Sequence, residues 1–184
     1  MTTRDVNWLL DGAGFGQERT RCLRAIGFFE APASKRHHLA YRGGLAAHSV
    51  NVARRLLDLT PVLGVNWGRA ESPYLVALLH DLVKCDCYRL RSDGGYDYVQ
   101  PAWPGHGVAS VMIATCKLNI GLLPEEAAAI IHHMGAFGLQ GRALDEFDAA
   151  LDKWPAQIIA THTADWAAAR IDEYGSWAEE RGEP

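Results

Sequence analysis

One apolar segment, residues 74–84, constrains the fold of this 184-residue chain more than any other. The preceding pair Ser72-Pro73 predicts an N-cap and a first-turn proline, and the residues before His80 are apolar almost all round a helix, which is typical of a buried helix. The segment ends in His80, Asp81 and Lys84. Because an unpaired buried charge costs roughly several kcal/mol, these groups need partners. A metal ion is one solution, and a hydrogen-bonded core without metal is the other.

Two further polar residues lie on apolar stripes of predicted helices. A helix over residues 45–59 carries His48 on the same face as its leucines and valine. An alanine-rich helix over residues 155–174 carries Asp165 on its inner face, and its small side chains favour close packing. A lone histidine on an apolar face is more often a core residue than a ligand, so either residue by itself is weak evidence for a site.

The remaining histidines of interest lie at helix ends. His106 follows a proline-rich stretch and begins a helix predicted to extend through residue 117. A helix that starts at Pro124 and is closed by a glycine at 135 contains adjacent histidines. At about 100° per residue, His133 lies nearer the apolar stripe than His132, so we prefer His133 as the inward residue.

The rest of the chain is predicted to be helical except for one hairpin. Short helices are expected at residues 6–10 and 18–29, and an amphipathic helix at 142–153. Residues 88–90 and 96–99 alternate around an Asp-Gly step, which predicts a small β-hairpin. The predicted fold class is therefore all-α with a β-hairpin insertion.

A basic irregular segment precedes the His48 helix. It contains three candidate substrate-binding residues, Lys35, Arg36 and Arg42. A phosphate-binding rim and a solvated loop are equally good interpretations of this segment.

Composition limits the function classes. The chain is 48% hydrophobic, which suits one globular domain. Its net charge of −4 argues against strong nucleic-acid binding, so small molecules are the expected ligands. No segment reaches the ~18 apolar residues that span a bilayer, so we expect no membrane insertion and a cytoplasmic protein. The cysteines lack metal-site spacing and are expected to be reduced thiols: Cys22, Cys85, Cys87 and Cys116.

Taken together, the inward polar residues form an ordered set: His48, His80, Asp81, His106, His133 and Asp165. This order resembles the HD-domain superfamily of metal-dependent phosphohydrolases over about residues 43–169. The segments GGLAAHS at 43–49 and ALLHDLVK at 77–84 look like its first-histidine and central motifs.

The resemblance implies a single-domain helical bundle, residues 1–184, with a metal centre. Its first metal site would use His48, His80, Asp81 and Asp165. His106 and His133 correspond to the extra histidines of the two-metal branch, in which Asp81 would bridge both ions. Such a mixed donor set suits one or two divalent transition-metal ions, Fe, Mn, Co, Ni or Zn, while weakly bound Mg remains an option.

The implied reaction is attack of metal-activated water on phosphorus, with Asp81 and Lys84 as catalytic residues. Lys84 either stabilises negative charge on phosphate or only pairs with Asp81. The leading substrate is a small nucleotide or deoxynucleotide, and Tyr41, Tyr88 or Trp103 is a candidate to stack on a base. The alternatives are a phosphodiesterase acting on a cyclic nucleotide or nucleic acid, a di-iron oxygenase of the same superfamily, and a non-catalytic nucleotide-binding module. Homo-oligomers are common among such enzymes.

Overall fold

The computed structural model describes residues 2–173 and confirms an all-α fold with one small β-hairpin. In chain order the helices are α1 (Thr3–Gly12), α2 (Gln17–Ala25), α3 (Gly44–Val62), α4 (Ser72–Leu79), α5 (Lys84–Cys87), α6 (His106–Met112), α7 (Pro124–His132), α8 (Arg142–Lys153) and α9 (Pro155–Ala167). The strands are β1 (Tyr88–Leu90) and β2 (Tyr96–Tyr98). Two π-helical segments, Ile113–Lys117 and Ala168–Asp172, continue α6 and α9.

Helix α3 lies at the centre of the molecule, where it packs against α4 and α9, while α7 packs against both α6 and α9. The main core is apolar and includes Leu45, Leu56, Val76 and Ile130, each fully buried. This packing brings parts of α3, α6 and α9 together with the chain that follows α4 and α7. Within residues 2–173, no helix combines the length and the apolar character needed to cross a bilayer.

The hairpin forms where the sequence predicts it. Its strands are antiparallel, with Tyr88 opposite Tyr98 and Leu90 opposite Tyr96. Gly94 adopts φ 86° in the turn, and the Gly95 N–H donates to the Asp93 carboxylate at 3.0 Å. The Asp-Gly step therefore fixes the turn as expected.

Two helices near the N-terminus differ in length from the sequence prediction. Helix α1 begins at Thr3, earlier than residue 6, because Thr2 and Asp5 form a reciprocal capping box. Helix α2 ends at Ala25, although a helix to residue 29 was expected. Gly27 adopts φ 84°, and the Phe28 N–H returns to the Leu23 carbonyl at 3.1 Å, which is a common way to end a helix.

The segment around His80 is less regular than predicted. Helix α4 ends at Leu79 and a new short helix begins at Lys84, so residues 80–83 form a turn. Ser72 does not cap α4, because its hydroxyl donates to the buried Glu126 carboxylate at 2.7 Å. At the other end of the chain, residue 174, where the last helix was expected to end, lies outside the described residues.

Candidate metal centre

His48 is fully buried near the start of α3, and both of its ring nitrogens face carboxylates. Nδ1 donates to Glu173 Oε1 at 3.0 Å, and Nε2 donates to Asp165 Oδ1 at 2.9 Å. Burial lowers the pKa of His48, but the hydrogen bonds to Asp165 and Glu173 outweigh it and raise that pKa to about 9. Without a metal ion the ring is thus an imidazolium that bridges two carboxylates, and it would have to lose the Nε2 proton to act as a metal ligand.

His80 presents a lone pair to the same region. Its Nδ1 donates to the Ala77 carbonyl at 2.9 Å, so this nitrogen carries the proton. Burial lowers the pKa of His80, which keeps the ring neutral. The Nε2 lone pair then faces His48 Nε2, 3.3 Å away. This tautomer, held by a backbone carbonyl, is the one that binds a metal ion through Nε2.

Asp81 lies among the histidines, and its two oxygens face different groups. Oδ1 lies 2.5 Å from His106 Nε2 and 3.6 Å from His133 Nε2. Oδ2 lies 2.5 Å from Lys84 Nζ and 3.3 Å from His80 Nε2. Burial raises the pKa of Asp81, but the charge of Lys84 and the hydrogen bond with His106 hold it well below its usual range. Asp81 is therefore a carboxylate.

The approach of α6 to α7 brings His106 and His133 together. At Gly107 a Cβ would lie 2.3 Å from the Ile131 carbonyl oxygen, so only glycine allows this spacing. The ring centroids of His106 and His133 are 5.4 Å apart. His133 Nδ1 donates to the Ile130 carbonyl at 2.6 Å, while its buried Nε2 has no hydrogen-bond partner among residues 2–173. A buried nitrogen of this kind calls for a ligand.

The two adjacent histidines at the C-terminal end of α7 have different surroundings. His133 lies within the cluster, as described above. His132 is half-buried and contacts the Phe147 ring edge-on, with centroids 5.4 Å apart. The rotation of about 100° between neighbouring helical residues separates them.

The donor set fits a metal ion on two structural grounds: the inward lone pair of His80 and the unpartnered Nε2 of His133. Among residues 2–173, three overlapping groups have one ligand atom from each member within 4.8 Å of the others: His48, His80 and Asp165; His80, Asp81 and His133; and His38, His48 and Glu173. Mixed imidazole and carboxylate ligands suit divalent transition metals. Buried histidines and aspartates that can bind a metal ion are thus present, and the identity of the metal stays a prediction.

A cavity of about 490 Å³ opens onto this cluster, a volume typical of small-molecule sites. Its lining includes three of the candidate ligands, Asp81, His106 and Asp165, together with Lys84. Burial lowers the pKa of Lys84, but Asp81 and Asp165 outweigh it and raise that pKa, so the ammonium stays charged. The cavity therefore has a charged region next to the candidate ligands.

The three basic candidates from the sequence, Lys35, Arg36 and Arg42, are not among the described residues that line this cavity. Lys35 and Arg36 belong to a loop in which Ser34 and His37 do line it. Arg42 is exposed, and its Nη2 lies 3.8 Å from a Glu30 carboxylate oxygen, beside a separate depression. Direct contact between Arg42 and a ligand in the main cavity stays a prediction.

Two residues near His48 escaped the sequence analysis. Glu173 is 2% exposed, and besides His48 it binds Asn51, whose Nδ2 donates to Oε1 at 3.0 Å. Glu173 is eight residues after Asp165, so extending the α9 stripe two turns would have found it. His38 lines the cavity from an irregular loop that has no periodic signal. Burial, with the charges of His48 and Lys84, lowers the pKa of His38 to about 4, so this ring is neutral.

Comparison with known proteins gives one informative match. The chain is 38% identical over 72 residues to the dihydroneopterin 2′,3′-cyclic phosphate phosphodiesterase of Methanocaldococcus jannaschii. The aligned stretch covers 38% of this chain and 29% of that protein, so less than a third of the relative is matched. No family profile matches the chain, and no solved structure does. The chain is thus similar in part to a phosphodiesterase for a small cyclic phosphate.

Proposed function

We propose that this chain is a metal-dependent phosphodiesterase of the HD type that hydrolyses a small phosphate diester. The substrate class is a 2′,3′-cyclic phosphate on a compound with a heterocyclic ring, such as a nucleoside or a pterin. The observation that carries this proposal is the convergence of four histidines and two aspartates beside a small-molecule cavity. The partial similarity to a cyclic phosphate phosphodiesterase favours a diester over the nucleotide monoester or anhydride that the sequence favoured.

The contacts of Asp81 support a two-ion arrangement in which this residue bridges. Its Oδ2 atom lies on the side of His80, with His48 Nε2 3.7 Å away, and its Oδ1 atom faces His106 and His133. In this proposal the first ion would be held by His48, His80, Asp81 and Asp165, and the second by Asp81, His106 and His133. Glu173 behind His48, and backbone carbonyl groups behind His80 and His133, would fix the orientations of these ligands.

When bound, a divalent ion would supply polarisation of the phosphoryl oxygens and would lower the pKa of water to roughly 7. Lys84 is suited to stabilise the negative charge that builds up on the non-bridging oxygens. Its ammonium lines the cavity and is held 2.5 Å from Asp81 Oδ2, so it is in position before a substrate binds. In the opening of a 2′,3′-cyclic phosphate, water forms a bond to phosphorus, one P–O ester bond breaks, and the departing oxygen takes up a proton. A monoester stays on the same sugar or polyol chain, so no orthophosphate is released.

The basic loop keeps a secondary role in this proposal. Lys35 and Arg36 lie next to the lining residues Ser34 and His37, so their charges would attract an anionic substrate to the cavity entrance. Arg42, paired with Glu30, would contribute only at longer range. A diester carries a single negative charge, so few direct cationic contacts are required.

Product analysis tests the function. The purified full chain is incubated with 2′,3′-cyclic nucleotides, dihydroneopterin 2′,3′-cyclic phosphate, 3′,5′-cyclic nucleotides, and nucleoside mono-, di- and triphosphates, each with Mn, Fe, Co, Ni, Zn or Mg, and followed by ³¹P NMR. We expect monoester to form from the 2′,3′-cyclic compounds. Asp81→Asn should be inactive, while Asp148→Asn, an exposed position on α8, should match the parent protein.

Other outcomes would overturn this proposal in distinct ways. Orthophosphate released from mono-, di- or triphosphates would restore the nucleotide phosphohydrolase favoured by the sequence. Absence of any hydrolysis in protein that holds two irons and consumes O₂ with an organic substrate would identify an oxygenase.

A further inference from the structure

We infer that Trp166 forms a subsite that stacks on the planar heteroaromatic ring of the substrate. The inference rests on the proposed function and deepens it, because it states how the part of the substrate remote from phosphorus is recognised. Trp166 follows Asp165 directly in α9, and its indole lines the cavity beside the candidate metal ligands. A ring stacked there would belong to a molecule whose phosphate lies toward Asp81 and Lys84.

The exposure of Trp166 is unusual for its size. Its side chain is 61% exposed although tryptophan is normally largely buried. Met134 lines the same cavity and is 54% exposed. Large apolar side chains left open beside a charged site are typical of ligand-binding surfaces, and a flat ring would bury both. Methionine adapts to the outline of such a ring.

The indole is also held in place. The His162 ring, one turn earlier in α9, stacks on it with centroids 5.8 Å apart and an interplanar angle of 25°. His162 Nδ1 donates to the His133 carbonyl at 2.7 Å. Trp166 is thereby linked to the segment that carries a candidate metal ligand, so the stacking surface is preorganised relative to the site.

The cavity walls match a ligand with two chemically different ends. The region of Asp81, Lys84 and His106 is charged, while Trp166 and Met134 offer apolar surface. A phosphate ester of a nucleoside or pterin has this division, with an anionic group at one end and a flat ring at the other. A small aliphatic phosphodiester would leave the indole exposed.

The aromatic residues chosen from the sequence serve this role less well. Trp103 is half-buried, packs against the main core, and has the Lys117 ammonium 5.6 Å from its ring centroid. Neither Trp103 nor Tyr41 is among the described residues that line the cavity, whereas Tyr88 is. Tyr88 is therefore a second wall of the cavity, and Trp103 is a suitable control position.

The test compares two substrates that share the reacting group. Kinetics are measured with a nucleoside 2′,3′-cyclic phosphate and with ribose 2,3-cyclic phosphate, which has no base. We expect Trp166→Leu to lower kcat/KM for the base-bearing substrate about tenfold or more, as the loss of a base-stacking aromatic residue does in proteins that bind single-stranded nucleic acid. The kcat/KM for the base-free substrate should be unchanged. Trp166→Phe should retain much of the preference, and Trp103→Leu should retain all of it.

Two results would overturn the inference. An equal loss on both substrates would mean that Trp166 has a structural role, which a lowered thermal midpoint would also reveal. An unchanged substrate preference, with a change in oligomeric state by light scattering, would assign the exposed indole to a subunit interface.

A binding measurement separates this inference from the proposed function. If no diester is hydrolysed, the same two compounds are titrated into the metal-loaded protein by calorimetry. Weaker binding of only the base-bearing compound to Trp166→Leu would support the ring subsite even though the reaction is different. Equal affinities in the parent and the variant would reject the subsite.

Discussion

Two buried carboxylates of this molecule, Glu126 and Asp81, differ in how their surroundings satisfy them. Glu126 is 0% exposed and Asp81 is 2% exposed. The Glu126 oxygens accept two hydrogen bonds from Arg69, at 2.7 and 2.6 Å, one from the Ser72 hydroxyl at 2.7 Å and one from the Leu123 N–H at 2.8 Å. Each donor is supplied by the chain, so the arrangement is complete.

The Asp81 cluster, which consists of Asp81 and the histidines and Asp165 around it, has ring nitrogens that are not all hydrogen-bonded within residues 2–173. Several imidazole nitrogens converge on Asp81, and His133 Nε2 has no hydrogen-bond partner within residues 2–173. The cluster also borders a cavity, whereas Glu126 is not among the described residues that line it. The region around Glu126 is therefore an internal structural ion pair, whereas the region around Asp81 retains the capacity to bind a ligand from outside.

The largest expected effect is loss of turnover in Asp81→Asn. Because metal-ion catalysis supplies several kcal/mol of transition-state stabilisation, we expect activity to fall about 10³-fold, together with the bound metal. Steady-state kinetics and elemental analysis measure both quantities. A variant that keeps its metal and more than a tenth of its activity would remove Asp81 from the centre.

The corresponding change at the other buried carboxylate, Glu126→Gln, should lower the stability of the fold and leave metal binding unchanged. We expect the free energy of unfolding to fall by roughly 3 kcal/mol, the lower end for breaking a buried pair, because the Arg69 side chain is partly exposed. Urea denaturation measures this loss, with Glu125→Gln, the half-buried neighbour, as the matched control. A weakened metal affinity in Glu126→Gln would show that the two regions are coupled.

Metal addition should stabilise the parent protein through the Asp81 cluster alone. At a free metal concentration 100 times Kd, the free energy of unfolding should rise by about 2.7 kcal/mol, and a chelator should reverse the rise. The same increment is expected in Glu126→Gln and none in Asp81→Asn. Identical denaturation curves for the parent with and without metal would favour a metal-free hydrogen-bond network.

Glu173→Gln should weaken metal binding by about tenfold, since a partner behind a ligand histidine contributes 10–100-fold in affinity. Glutamine can still accept the His48 Nδ1–H bond but lacks the charge, so Glu173→Leu should cost more. Competition titration with a metallochromic dye measures Kd. Asp172→Asn, which loses only a contact with Arg55, is the neighbouring control and should leave Kd unchanged. Unaltered affinity in Glu173→Leu would contradict this role.

The smallest effect is expected at the basic loop. Alanine at the half-buried Lys35 or the exposed Arg36 should raise KM about twofold at low ionic strength and leave kcat unchanged, because these charges act at a distance and are screened by salt. Repeating the kinetics in high salt should abolish the difference. A tenfold rise that persists in high salt would mean direct contact with substrate.

Helical periodicity accounts for what the sequence could predict. His48 and Asp165 lie on apolar stripes, and the rotation of successive residues distinguishes His133 from His132, so the residues brought together around Asp81 were all chosen in advance. His38 was missed because its loop has no repeat. Trp166 was missed because periodicity predicts which residues face the core, whereas the Trp166 side chain is exposed.

The π-helical segment Ala168–Asp172 determines the register of the residue that follows it. A π-helical turn closes one residue later than an α-helical turn. If this segment were α-helical with the same number of residues, Glu173 would be rotated by roughly 100° around the helix axis and its carboxylate would turn away from His48. If one residue were deleted instead, α-helical geometry would be restored and the glutamate would stay on the same face of the helix. A related sequence can therefore keep the carboxylate behind its first histidine either with a π-helical turn or with one residue fewer in a regular helix.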